Sequence, residues 1–238
     1  MTTTPTVVLV HGAFADAASF AAVTRLLLDD GLTVVVPPVP NRSLAGDAAS
    51  IASVVRQVDG PVLLVGHSYG GAVITVAGAE ENVVGLVYLA GYALEKGESL
   101  GELQGRFPDS DLADALVYRP YPVEGQPDGT DVYVDVARFP DIFAAGVEPR
   151  LAEVLAVSQR ALAGAAFGEP AADAAWRSKP SWGLVASEDR TINPDVERFG
   201  YSRAGMTVRE VASSHLVMLA HPDAVVDLIR EAVRATAG

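Results

Sequence analysis

The chain contains no cysteine. That absence removes disulfide frameworks, cysteine-ligated zinc, iron–sulfur clusters and thiol nucleophiles. Positive charge is scarce: 17 Lys and Arg against 30 Asp and Glu leave a formal charge of −13 over 238 residues. With no basic block, nucleic acid and anionic membranes are poor partners. Long apolar runs are missing as well. Val83 to Leu94 falls short of the ~18 residues that read as a membrane span, and Gly85 and Gly91 interrupt it. The opening Met-Thr-Thr-Thr-Pro-Thr has no basic start and no apolar core, so it does not read as a signal peptide. These absences point to a soluble, cytoplasmic protein.

What is present suits a folded domain. Half the residues are hydrophobic and a fifth are charged, which is the wrong composition for disorder. The length fits one large domain, or one domain carrying an insertion.

Short apolar runs alternate with amphipathic segments. Thr6 to Val10, Thr33 to Val36, Val62 to Val65 and Val83 to Leu89 read as buried strands. Between them lie a helix after Asp16 that ends at Gly31, a helix over Asn41 to Val58, and a helix over Tyr69 to Ala79. The rhythm returns late: strand Trp182 to Ala186, helix Pro194 to Arg203, strand Met206 to Val211, helix Pro222 to Ala235. Buried strands joined by helical crossovers predict an α/β fold, a mostly parallel doubly wound sheet of about six strands.

Between the two parts the rhythm breaks. Residues 93–179 are rich in proline and aromatics, with a helix-like stretch over Leu151 to Phe167. We expect residues 1–92 and 180–238 to form the core and 93–179 a helical cap inserted over the sheet. Trp176 and Trp182 flank the return to the core and read as packing anchors.

Two segments fit Gly-x-Ser-x-Gly: Gly66-His67-Ser68-Tyr69-Gly70 and Gly97-Glu98-Ser99-Leu100-Gly101. The chemistry needs a strand, a sharp turn that lifts the hydroxyl, and then a helix. Val62 to Val65 feeds Ser68, and Gly70, Gly71 and Ala72 open the helix after it. Ser99 has no strand before it and reads as a helix cap or loop serine.

A serine nucleophile needs a base, and the base an orienting acid. Of the four histidines, His11 ends the first strand and His67 sits inside the turn. His221 precedes Pro222 as a helix-start residue. His215, in the loop after the last strand, is placed where sites on parallel sheets gather. The acid should follow the preceding strand. Glu188, Asp189 and Asp195 are candidates; Asp195 suits a first helical turn, and spacing does not separate Glu188 from Asp189. An oxyanion needs two fixed N–H donors. Tyr69, after the nucleophile, and Ala13, in the loop after the first strand, are the expected pair, with Phe14 lining the substrate pocket.

The motifs His11-Gly12-Ala13-Phe14, Gly66-His67-Ser68-Tyr69-Gly70-Gly71, Ser187-Glu188-Asp189-Arg190 and Ser214-His215-Leu216-Val217-Met218 resemble the α/β-hydrolase superfamily. The resemblance extends to small bacterial hydrolases with segments like Arg138-Phe139-Pro140-Asp141 and Phe167-Gly168-Glu169-Pro170, and to the plant methylesterase and hydroxynitrile lyase branch. It implies that Asp189 is the acid and that Ala13 and Tyr69 are the oxyanion donors. Hydroxynitrile lyases of that branch carry a lysine after the catalytic histidine and a threonine after the histidine of the first strand. Leu216 and Gly12 stand there, so cyanohydrin cleavage is not expected.

The expectation is a serine hydrolase acting on small, neutral carboxylic esters through an acyl-enzyme, with no metal and no organic cofactor. The same triad acting on a C–C bond, an amide or a lactone, or a receptor that keeps the triad, uses the same parts. The acidic surface favours a neutral substrate over an anionic one.

Overall fold

The computed structural model describes residues 4–238. Strand β1 (Thr6–Val10) is a valine and leucine run in which Val7 to Val10 are fully buried, as a strand covered on both faces must be. Asp16 accepts from the Ala18 N–H at 2.8 Å and caps a short 3-10 turn that runs into α1 (Ala21–Asp29). Then follow β2 (Val34–Val35), α2 (Leu44–Arg56), β3 (Val62–His67), α3 (Tyr69–Ala77) and β4 (Val83–Leu89). Helix α2 starts three residues later than the spacing predicts. Ser43 is its cap, accepting from the Gly46 N–H at 3.1 Å, while Asn41 sits at φ +59°, outside helical space.

The next stretch holds α4 (Leu100–Gln104), β5 (Leu116–Tyr121), β6 (Gly129–Val134), α5 (Phe139–Ile142), α6 (Pro149–Val157) and β7 (Leu162–Ala163). Strands β5, β6 and β7 form a small antiparallel sheet. The single helix predicted over Leu151 to Phe167 is therefore corrected to a helix that stops at Val157 and a strand at Leu162. The Gln159 side chain turns the chain. It accepts from the Val134 N–H and donates to the Val134 carbonyl, each at 2.8 Å, and so brings Leu162 beside Val132.

The chain then returns through β8 (Ser181–Ala186), α7 (Pro194–Arg203), β9 (Thr207–Val211), α8 (Val217–Ala220) and α9 (Pro222–Thr236). Among the described residues the main sheet has six strands in the order β2-β1-β3-β4-β8-β9, all parallel. Helices α1 and α9 pack together on one face, α2 and α3 on the other. Trp176 is buried and donates to the Leu94 carbonyl at 2.7 Å; Trp182 is buried in β8. Among the described residues no helix is long and apolar enough to cross a membrane.

Strand order places the site. The chain leaves β1 toward one edge of the sheet and β3 toward the other. The loops after them diverge, which opens a crevice at the carboxyl ends of these two strands.

Candidate active site

Ser68 sits between β3 and α3 at φ +55°, ψ −123°, a conformation that a residue with a side chain adopts only under constraint. Its backbone supplies the constraint. The N–H donates to Leu89 O at 3.1 Å, and the carbonyl accepts from Gly71 N–H at 2.9 Å and Tyr92 N–H at 3.2 Å. The glycines around it are there for close approach. A Cβ on Gly66 would overlap the Gly70 carbonyl, and one on Gly70 the Val10 carbonyl. Gly12, from the loop after β1, lies so near that a Cβ there would come within 2.7 Å of the Ser68 Cβ.

His215 and Asp189 come together. Nδ1 of His215 lies 2.6 Å from Oδ2 of Asp189, and both side chains are fully buried. Oδ1 of Asp189 accepts from the Thr191 and Ile192 N–H groups at 2.7 and 3.1 Å. The carboxylate is thus fixed, and it fixes the ring: Nδ1 carries the proton, so Nε2 is left as a base. Among the described residues Nε2 has no hydrogen-bond partner, the hydroxyl of Ser68 included. The geometry also separates the acids that spacing could not. Glu188 is exposed, and Asp195 is in the first turn of α7, paired with Arg198 at 2.8 Å. Ser99 caps α4 in a reciprocal arrangement with Glu102.

The remaining histidines hold the scaffold. His11 accepts from the Val39 N–H at 2.9 Å through Nε2 and so donates through Nδ1 to the Gly12 carbonyl at 2.9 Å, tying the loops after β1 and β2. His67 donates through Nε2 to the His215 carbonyl at 2.9 Å and holds that loop against the turn at Ser68. His221 is exposed at the start of α9 and makes no side-chain cap bond. Burial, and then the neighbouring His215, push His67 well below the usual histidine range, so it stays neutral in the fold. Unfolded, it gains a proton below about pH 6.5. Stability must therefore fall as pH drops through that value, by up to about 1.4 kcal/mol per pH unit for this one group. His67→Gln, which can still donate to the His215 carbonyl, is expected to flatten the loss by that slope. Urea midpoints of the two proteins between neutral and mildly acid pH check it; parallel curves would refute it.

The N–H groups of Ala13 and Tyr69 donate to no acceptor among the described residues, whereas that of Phe14 is taken by the Arg160 carbonyl at 2.9 Å. Phe14 is thus excluded as an oxyanion donor but stands beside the site. Its ring meets Phe143 edge-on, with centroids 5.7 Å apart, and Phe143 lies 4.8 Å from the His215 ring. Tyr69 is anchored at its far end, its hydroxyl donating to Asp47 Oδ2 at 2.7 Å.

Two residues at the site escaped the sequence reading. Phe143 follows Phe139 by one helical turn in a segment that looked irregular. Glu197 is fully buried on α7 behind Asp189. The signal for it was available: it falls on the same face as Val196, Gly200 and Tyr201, where an unpaired acid is out of place.

A parallel sheet of this order carries a strained serine after β3 and a buried carboxylate–histidine pair at its carboxyl edge, and known proteins share the fold. The alpha/beta hydrolase family model matches residues 7–228, and the chain belongs to that family. It is similar to the alpha/beta hydrolase nvfD of Aspergillus novofumigatus (strain IBT 16806), with 28% identity over 186 residues, 72% of this chain and 69% of that one. Similar solved structures include polyneuridine aldehyde esterase (TM-score 0.82, 17% identity, 97% of this chain and 99% of that one). A pyrethroid hydrolase from Sphingobium faniae JZ-2 has a TM-score of 0.78 at 20% identity, covering 98% of each chain. The methylesterase MES16 from Arabidopsis has a TM-score of 0.81 at 16% identity, covering 97% of this chain and 99% of that one. At these identities the structural likeness speaks for the fold.

Proposed function

We propose that the protein hydrolyses small, neutral carboxylic esters. The observation that carries this reading is the buried Asp189–His215 bond of 2.6 Å, with Nε2 left free at the edge where Ser68 is held in a strained turn. In the reaction His215 Nε2 takes the Ser68 proton as Oγ attacks the ester carbonyl. The oxyanion accepts from the Ala13 and Tyr69 N–H groups, and Asp189 stabilises the imidazolium. The imidazolium passes its proton to the leaving alkoxide and an acyl-enzyme forms. Water then gives a proton to Nε2 as its oxygen bonds to the acyl carbon; the acyl–Oγ bond breaks, Oγ takes the proton back from Nε2, and the acid leaves with Ser68 and His215 restored. No metal or organic cofactor enters.

The family membership supports hydrolysis, and the esterase and methylesterase of similar fold support an ester as the bond broken. Phe143 beside His215, with Phe14 packed on Phe143, favours an uncharged, apolar substrate, as does the charge of −13. Residues 93–179 are read as the cap that closes over it.

The test is turnover of short activated esters across a series of acyl lengths, with stoichiometric labelling by a serine-directed phosphonate. Turnover that the phosphonate abolishes is the expected result, and the preferred acyl length sizes the pocket. Labelling without turnover would replace the enzyme by a ligand receptor that keeps the triad. Turnover of amides or lactones in preference to esters would move the reading to another bond.

A further inference from the structure

Behind Asp189 lies a second carboxyl group that ester hydrolysis by the triad does not use. Glu197 is fully buried in α7. Its Oε2 accepts from the Ala186 N–H at 3.0 Å, while Oε1 has no conventional partner among the described residues. The Asp189 carboxyl is the side chain within hydrogen-bond reach of Glu197, and Oε1 is the Glu197 oxygen left without a partner among the described residues. Two carboxyl oxygens can approach in this way only with a proton between them. Asp189 already has three donors: Thr191 N–H, Ile192 N–H and His215 Nδ1–H. A carboxylate has room for about four, which leaves Asp189 one place to accept from a neighbour.

We propose that Glu197 is a positioning residue: as a neutral carboxylic acid it donates its Oε1 proton to Asp189, completing the set of donors that holds the acid, and through it His215, in place. The inference rests on the reading of Ser68, His215 and Asp189 as the hydrolytic site. A second carboxylate there would set two buried negative charges in contact, which the low local dielectric makes costly. A protonated acid instead adds a strong hydrogen bond and no charge.

The groups that face Glu197 are Asp189 from the loop after β8, with His215 beyond it, Tyr92 from the segment after β4, and Tyr201 and Arg198 on its own helix. Arg198 is engaged with Asp195 and Glu210 at the surface, so it does not neutralise the pair. Burial first, and Asp189 second, push Glu197 well above the ordinary carboxylate range. The sign of the linkage follows. The unfolded chain loses this proton near pH 4.5 while the fold keeps it, so the group costs stability as pH rises from that value.

Two variants of the full chain test the proposal. Glu197→Gln keeps an acceptor for Ala186 and a donor for Asp189 but cannot ionise. It is expected to retain kcat/KM on a short activated ester within about threefold, and to gain stability over the wild type as pH rises above about 4.5. Glu197→Met removes the donor. Asp189 then holds the imidazolium more tightly, so the acid limb of the kcat/KM profile should move up by about half to one pH unit. Turnover should fall about tenfold. Glu197→Gln as damaging as Glu197→Met would overturn the proposal, because an ionised carboxylate would then be what the site needs. An unmoved acid limb in a folded Glu197→Met would overturn it too, leaving only a packing role. If Glu197→Met does not fold, the stability of Glu197→Gln against pH decides alone, and a gap that does not widen sinks the idea. That comparison needs no turnover, so failure of ester hydrolysis in the wild type would count against the proposed function and not against the proton on Glu197.

Discussion

Ser68→Ala is expected to lower kcat on an activated ester by roughly ten-thousandfold or more, with KM little changed. The reason is geometric. The variant keeps the Ala13 and Tyr69 N–H groups and the pocket, so binding and oxyanion stabilisation survive, but no atom remains at the turn to form the acyl bond. His215→Ala should cost about as much, since the hydroxyl without its base is a poor nucleophile at neutral pH. The double variant should be little worse than either single one, because the two residues act as a unit. Asp189→Asn separates charge from shape. The Thr191 and Ile192 N–H groups can still bind the amide oxygen. The amide nitrogen then faces His215 Nδ1 and turns the ring to the tautomer that carries its proton on Nε2, the wrong atom for a base, at a cost again of roughly ten-thousandfold. Steady-state kinetics with thermal melts as a folding control measure all four. A Ser68→Ala protein that keeps full activity ends the proposed mechanism.

The parts of the site that could be read from sequence are those that local chemistry dictates. The turn around Ser68 needs a strand before it, small residues around it and a helix after it, and all three are contiguous in the chain. His215 and the acidic pair Glu188-Asp189 follow strands, so sheet geometry puts them on one edge before any coordinate is known. Choosing between Glu188 and Asp189 is different. Neighbours in sequence point to opposite sides of a loop, and only the 2.6 Å contact with His215, against an exposed Glu188, distinguishes them.

What could not be read depends on distant partners. Strands β5 and β6 contain Pro120 and border Pro122 and Pro127, which read as breakers, yet Pro120 sits at the edge of a two-strand pairing opposite Thr130. The helix expected through Phe167 fails because the Gln159 amide finds the backbone of Val134, 25 residues away. Glu197 and Phe143 gain their meaning from Asp189 and His215, which they meet only in the fold. The helix-like pattern before Ser43 likewise included Asn41, whose left-handed backbone no periodicity reveals. Local pattern therefore located the strained turn at Ser68, while tertiary contacts decided its surroundings.

The same turn carries the second large effect. Gly70→Ala is expected to destabilise the protein by about 3 kcal/mol or more and to lower its melting temperature by roughly 6–12 °C. A Cβ on Gly70 overlaps the Val10 carbonyl oxygen and comes within 2.8 Å of the His11 carbonyl oxygen and 3.0 Å of the Val10 carbonyl carbon. All three atoms are backbone, so no side chain can swing aside. Strand β1 cannot retreat either, because it is paired with β2 on one side and β3 on the other. Relief requires α3 to move away from β1. That motion draws the Tyr69 N–H away from the Ala13 loop and loosens the Ser68 carbonyl from Gly71 and Tyr92, so turnover should fall even at temperatures where the variant remains folded. Gly168→Ala is the control. Gly168 is exposed, has negative φ as the cap of a 3-10 turn, and has no atom within 4 Å of the place a Cβ would take. There the methyl group only restricts the unfolded chain, and stability should stay level or rise by roughly half a kcal/mol. Equal melting temperatures for the two variants would show that the turn at Ser68 tolerates a side chain, and the tight approach of β1 to α3 would lose its role in holding Ser68.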